Sequence, residues 1–404
     1  MLRIDWKRGE IPRDYEDGYL ELVRLLTEAA GLEQSLMVAY LYALFSLKEK
    51  YRPVRGDLGD RAYLEHSPAG RGGTDVLFEK ETFLAVALEE MQHLSIVNLC
   101  LVDLGAAPNF TPHVFPFSSD LYPFDIELRS IDRYAAATYL WIEADDCALS
   151  LDPACKGRSE PEKFIKGVRR VLRRSARFRE LEIDVQTPNH VGSLYRRIVK
   201  QMQEVASDPP NFLPTDLPWG EWEAKMNWIL HQGEITHYKF FRGIYTGKAF
   251  KNTKVWRLDP TDPDYPCLTF TRQTAYTGRK NTIQNPDARR LAWLSNLHYW
   301  IILCLLDSGY RGAELKLRYK AIDNMTIGLW HLGRHLSQAF SIGLPFDQMG
   351  PQYRLGRTPE MDLRIIVLLI KEAQRKANDL KNANLLPDGY DLRLFDITLE
   401  GLPA

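Results

Sequence analysis

Two stretches of this chain place a glutamate and a histidine three residues apart inside apolar-periodic sequence: Glu90 and His93 in Leu88-Glu89-Glu90-Met91-Gln92-His93, and Glu234 and His237 in Glu234-Ile235-Thr236-His237. On an α-helix that spacing leaves the side chains about 60° apart around the axis, so one turn can present both to a single cation. A single copy reads more simply as an exposed Glu beside a satisfied core His. Two copies change the balance, because two such helices plus one inward Glu from each of two others form the ligand set of a helical bundle holding two metal ions. The duplication therefore asks for an all-α fold in which long helices face one another, and for further buried glutamates.

Glu33 is the first candidate. It lies between Leu32 and Leu36 in Tyr19 to Lys50, whose apolar residues recur at three and four and which is too apolar for a surface helix. A carboxylate on that side is costly to bury without a cation, a hydrogen-bond network or a metal. Standing alone it would be a boundary residue. A helix spanning roughly Asp75 to Leu104, closed by Gly105 and Pro108, carries Glu90 and His93. Glu89 lies four residues before His93, but the alternation of Leu84, Ala87, Leu88, Met91 and Leu94 favours Glu90 as its partner. Ser130 or Asp132 can cap a helix from Arg133 to Ala148 that contains Glu143. Helices are also expected at His190 to Val205, around Trp228 to Tyr245, and at Asp287 to Ser308, Leu315 to Phe340 and Pro359 to Asn382. Between them, Tyr51 to Thr74 is dense in Gly, Pro and charge and reads as a connection or lid, and Asn109 to Leu128 reads as a long crossover. The division expected is a metal-binding bundle over 1–249, a linker over 250–286 centred on Asp259-Pro260-Thr261-Asp262-Pro263, a C-terminal helical subdomain over 287–385 and a tail over 386–404. The broad apolar faces of Leu291 to Leu306 and Ile365 to Ile370 call for packing on the bundle rather than independent folding.

Charge narrows the partners. The 404 residues carry 52 basic and 53 acidic side chains, a net charge of −1, which argues against nucleic acid or an anionic membrane as partner. The run Arg169-Arg170-Val171-Leu172-Arg173-Arg174 reads as a solvated helix face. The first residues have no apolar core of signal-peptide length, and the longest apolar run, Tyr299 to Leu306, is too short to span a bilayer, so a cytoplasmic location is expected. Five cysteines without Cys-x-x-Cys spacing disfavour both a disulfide framework and a thiolate zinc site.

The succession Leu32-Glu33-Gln34 with Ala39-Tyr40-Leu41-Tyr42-Ala43-Leu44, then Glu89-Glu90-Met91-Gln92-His93-Leu94 with Asn98, then Val191-Gly192-Ser193-Leu194-Tyr195-Arg196-Arg197-Ile198, then Gln232-Gly233-Glu234 and His237-Tyr238-Lys239-Phe240 resembles the ferritin-like family. More narrowly it is similar to the branch named for the iminophenylpyruvate dimer synthase of violacein-type pathways, and the likeness continues through Asn324-Met325, Leu332-Gly333-Arg334-His335-Leu336 and Gly350-Pro351. The resemblance implies a helical bundle with a non-haem metal centre and a biosynthetic role. Two departures stand out. Ser193 occupies a position where the branch usually has Glu, leaving Glu143, His190, or water or substrate to replace that donor. Gln-Gly-Glu and His-Tyr, commonly separated by an insertion in the branch, are continuous here, which leaves open which family Glu corresponds to Glu234.

The candidate metal ligands are thus Glu33, Glu90, His93, Glu143, Glu234 and His237. Carboxylates and imidazoles without thiolates suit Fe(II), Mn(II) or Zn(II), and a paired site favours two iron ions, which can together deliver two electrons to O2. Tyr40 and Tyr195 are the candidate catalytic residues, shaping an apolar pocket near the ions, although aromatics at helical spacing are more often plain core. The function expected is an O2-dependent oxidase or oxygenase acting on a small amino-acid-derived or aromatic metabolite. The alternatives are a non-redox enzyme coupling or rearranging an imine with the metal as Lewis acid, iron storage, and a metal-free scaffold. The partners expected are the small molecule and O2, with homodimerisation left open. Competing sites are His331 with His335, four apart and able in principle to bind zinc, and His298 beside Trp300, for which a core role is the plainer account.

Overall fold

The fold is described from a computed structural model covering residues 11–58, 81–118, 124–181, 191–312, 314–349 and 358–403. It is all-α, and the extended segments among the described residues meet only in isolated bridges such as Phe117 with Ile126.

The chain opens with α1 (Gly18–Ser46), capped by Asp17, whose side chain accepts from the Leu20 amide. From Ala29 to Ser46 every residue of α1 is buried, which is why its apolar pattern runs almost all round the helix rather than along one stripe. With each fully buried Leu or Phe stabilising by about 1.5–3 kcal/mol, α1 is the axis of the molecule. A short α2 (Arg52–Arg55) follows, and then α3 (Phe83–Asp103), capped by Thr82 and followed by Gly105 at φ 77°. Most of the Tyr51 to Thr74 connection, and the first turns expected for the next helix, lie outside the described residues. α4 (Arg133–Ile142), capped by Asp132, ends six residues earlier than its sequence period suggested, with Glu143 as its C-cap. The basic segment becomes α5 (Glu162–Leu172) and α6 (Ala176–Leu181). α7 (Val191–Ser207) is next, and then α8 (Trp219–His231) and α9 (Tyr238–Thr246), joined without a break through a π turn at Gln232–His237.

These helices pack in a closed ring: α1 lies against α3 and α7, α7 against α8, and α8 against α3, while α4 packs on α9. A second layer follows. α10 (Pro286–Arg311) leans on α3, with α11 (Leu315–Asp323), α12 (Trp330–Phe340) and α13 (Pro359–Asn382) around it, and α12 reaches α1. The C-terminal helices are therefore packed on the bundle. The stretch expected as a tail instead contains α14 (Arg393–Glu400), which buries Leu394 and Phe395.

Two other expectations change. Cys147 and Cys155 form a disulfide, with Cα atoms 5.1 Å apart, where the spacing of the cysteines had disfavoured one. And where no run had been expected to reach a bilayer's width, α3 is, among the described residues, long and apolar enough to cross a membrane by length and composition; 67% of its most apolar window is buried in the fold.

Candidate metal centre

Glu33 and the pair Glu90 and His93 sit mid-helix on α1 and α3, where regular α geometry aims them inward; all three are about 2% exposed or less. The Glu90 carboxylate lies between two imidazoles: its Oε2 is 3.0 Å from Nδ1 of His93, and its Oε1 is 3.2 Å from Nδ1 of His237. On the His93 side, Glu33 Oε2 is 3.4 Å from Nδ1. On the His237 side, Glu143 Oε2 is 3.6 Å from Nδ1. Two groups result, Glu33, Glu90 and His93, and Glu90, Glu143 and His237, each with ligand atoms within 4.8 Å of one another and sharing Glu90. The two rings are 5.8 Å apart between centroids.

Each imidazole turns its other nitrogen to an acceptor outside these groups. His93 donates from Nε2 to Oε1 of Gln232 at 2.9 Å, and His237 donates from Nε2 to Oε2 of Glu89 at 2.7 Å. Such outer acceptors fix which nitrogen is protonated and hold the ring plane, leaving Nδ1 as the inward donor atom in the neutral ring. The tyrosines play a parallel part. Tyr195 donates to Oε1 of Glu33, and Tyr40 donates to Oε1 of Glu143 at 2.5 Å, so each group has one carboxylate pinned by a phenol. Phe241 packs on Tyr40 and Tyr139, and on Phe83, forming an apolar wall beside Glu143.

The electrostatics follow from burial. Glu33 is pushed up to about 8, by its own desolvation and then by the charge of Glu90. Burial alone would depress His93, but the Glu90 charge and the hydrogen bonds of Glu33 and Glu90 outweigh it and raise the imidazole to about 10. His237 is likewise raised against the pull of burial, by hydrogen bonding to Glu143, Glu89 and Glu90. Glu90, facing both rings, is held below its ordinary value although burial opposes this. Glu81, just before α3, is pushed up to about 7 by burial and by Glu89.

The donor set fits metal ions. Oε2 of Glu33 and Nδ1 of His237 are buried and make no well-aligned hydrogen bond among the described residues, having only the looser contacts at 3.4 Å to His93 and 3.2 Å to Glu90, and both are the inward atoms of their groups. Leaving such atoms unmatched is costly, and cations between Glu33, Glu90 and Glu143 relieve both the desolvation and the mutual repulsion.

Glu234 is not in either group. Its Oε1 pairs with Arg196 at 2.8 Å, and Arg196 also holds Asp146 at 2.6 Å. The reason is the π turn: its i→i+5 bonding adds a residue per turn, so positions three apart no longer share a face. Glu234 turns toward α7 while His237 enters the core. The same turn brings Gly233 so close to Glu143 that a Cβ there would stand 3.0 Å from Oε2. Glu143, the C-cap residue of α4, is the third member of the group formed with Glu90 and His237. Ser193 is half-buried on α7, and His190 lies outside the described residues. Sequence reasoning missed Glu89, set aside because the apolar alternation of the helix favoured Glu90 as the partner of His93, and Gln232; the only signals were the doubled Glu in α3 and the Gln before Gly233.

The competing histidines resolve as structure. His298 is fully buried, with Nδ1 3.0 Å from Asn324 Oδ1 and Nε2 2.6 Å from Tyr390 OH, and it stacks on Phe395; burial pushes it down to about 4. His331 and His335 belong to no metal-capable group among the described residues; His331 lies against Gly389 and His335 against the Phe340 ring.

The family model described as Ferritin-like matches residues 26–246, just over half of the chain and every residue of the two groups. The chain belongs to the ferritin-like family. No curated protein and no solved structure matches it. As a ferritin-like bundle it carries Glu33 and the Glu90/His93 pair in the regular helices expected of that architecture, while its second half reaches the same centre through a helix end and a π turn.

Proposed function

We propose that this ferritin-like chain is a non-haem di-iron, O2-dependent oxidase or oxygenase acting on a small amino-acid-derived or aromatic metabolite. The observation that carries the reading is Glu90, one carboxylate with an oxygen on each of two imidazoles, flanked by Glu33 on one side and Glu143 on the other. Glu33 and His93 would hold one ion, Glu143 and His237 the other, and Glu90 would span them. A pair of iron ions so held supplies two electrons to O2.

The chain's own residues do the rest. Gln232 and Glu89 fix the ring planes of His93 and His237. Tyr195 and Tyr40 orient Glu33 and Glu143, and their hydroxyls are the protons nearest those carboxylates. Phe241, itself packed on Phe83 and Phe240, lies against Tyr40 and so gives the phenol that holds Glu143 an apolar backing. The choice of substrate class rests on the sequence resemblance to the iminophenylpyruvate dimer synthase branch and on this aromatic surround.

Anaerobic loading with Fe(II), metal counting, and O2 uptake in the presence of aromatic amino acids and their imino and keto acids test the reading. Two ions per chain and substrate-dependent O2 uptake are expected. Tight zinc with no bound iron would move the chemistry to Lewis-acid catalysis, and no metal at all would refute the reading.

A further inference from the structure

The two halves of the centre are not equally supported. Glu33, Glu90 and His93 stand in the middle of long helices, whereas Glu143 is the residue on which α4 ends, and the chain beyond it is a run of turns. That run is a strap. Asp145 accepts from the amides of Cys147 and Ala148, Asp146 holds Arg196 of α7, and the Glu160 amide returns to the carbonyl of Ala148 at 2.9 Å. Glu160 then grips α9 immediately after His237, pairing with Arg242 at 2.5 and 2.9 Å and accepting from Tyr238 OH at 3.2 Å. Inside the strap, Cys147 and Cys155 are bridged, while Cys100, Cys267 and Cys304 are buried outside it and form no disulfide. The bridge lies just beneath exposed residues, Leu151, Pro153, Ala154 and Lys156 to Arg158, so a small reductant has a short approach.

We propose that Cys147–Cys155 is a reversible redox modification site whose state sets the affinity of the Glu143/His237 position for its ion and leaves the Glu33/His93 position unchanged. The inference rests on the di-metal reading above. In the forward step a dithiol reductant attacks one sulfur, the S–S bond breaks, and two electrons and two protons pass from the reductant to the pair, giving two thiols, while the reductant leaves as its own disulfide; in the reverse step a small disulfide is the oxidant, taking the two electrons and two protons by the same exchange and leaving as two thiols. The opened strap no longer fixes the end of α4 or the grip of Glu160 on α9, so Glu143 and His237 lose their registration. The mid-helix ligands have no such dependence.

The test uses the full chain, oxidised, reduced with dithiothreitol and then freed of it, and as the double variant Cys147→Ser/Cys155→Ser. Alkylation and mass measurement report the bridge, amide hydrogen exchange reports the strap, and titration with Co(II) reports the ions. Reduction should speed exchange at Ala148, Ser150 and Glu160 and weaken one of two Co(II) ions by roughly tenfold, with the double variant matching the reduced chain. A bridge that dithiothreitol does not open, exchange unchanged on reduction, or both ions weakened alike overturns the proposal. If no Co(II) binds in any state, the proposal falls through the metal reading rather than through the strap, and faster exchange on reduction identifies that case.

Discussion

Gly233→Ala offers the sharpest probe of the centre. Gly233 lies in the π turn with ordinary helical backbone, so alanine is conformationally acceptable and, by reducing the freedom of the unfolded chain, should stabilise the fold by about 0.5–1 kcal/mol. Its Cβ, however, would stand 3.0 Å from Oε2 of Glu143, where ordinary contact begins at 3.4 Å. The carboxylate must retreat by about 0.4 Å, roughly twice the ~0.2 Å tolerance of a metal–ligand distance. It cannot swing freely, because its other oxygen is held by Tyr40 at 2.5 Å. Displacing a ligand or its support on this scale weakens metal binding by roughly 10- to 100-fold, about 1.4–2.7 kcal/mol. Calorimetric titration of the chelator-stripped variant with Mn(II) or Co(II), beside a thermal melt, should show a cooperative melt with Tm near the parent's, the unfolded-state gain being offset by the crowding of Glu143, and one ion at parental affinity and one weakened. Two ions bound as tightly as in the parent would refute the placement of Glu143 against Gly233. Equal weakening of both would show that the turn itself had collapsed.

The remaining predictions separate the two positions further. Glu90→Ala should abolish both ions in a metal count, because Glu90 is common to both groups, whereas His93→Ala and His237→Ala should each leave one. Unchanged stoichiometry in all three would make the motifs structural. Glu234→Ala should keep two ions and change stability by less than about 1 kcal/mol, since it removes a partly exposed ion pair with Arg196; loss of an ion would restore Glu234 to the ligand set. Without metal, Tm should fall as pH rises: the raised His93 contributes stability that is full below about 6.5 and lost through about 10, and raised Glu33 acts in the same direction through about 8. Saturating metal should flatten that decline, since bound imidazoles are already neutral, and identical melts with and without metal would contradict it.

The sequence by itself determined most of the helices and three of the five clustered residues. An apolar period near 3.6 and the capping residues Asp17, Thr82, Asp132 and Thr358 act within one turn of chain, so they are legible without knowing what packs where. Glu33, Glu90 and His93 were legible for the same reason: in unbroken α-helix, spacing alone fixes which side chains share a face. The rest was decided by tertiary structure. A π turn differs from an α turn only in which carbonyl each amide chooses, and that choice is made by packing between α3, α4 and α7, so Glu234 could not be told from an inward ligand by spacing. Glu143 is aimed inward by the end of α4 meeting Gly233, Glu89 serves a histidine 148 residues away, and α14 exists by covering His298. Local periodicity carries no record of such contacts, because their energy is gained only when distant segments meet.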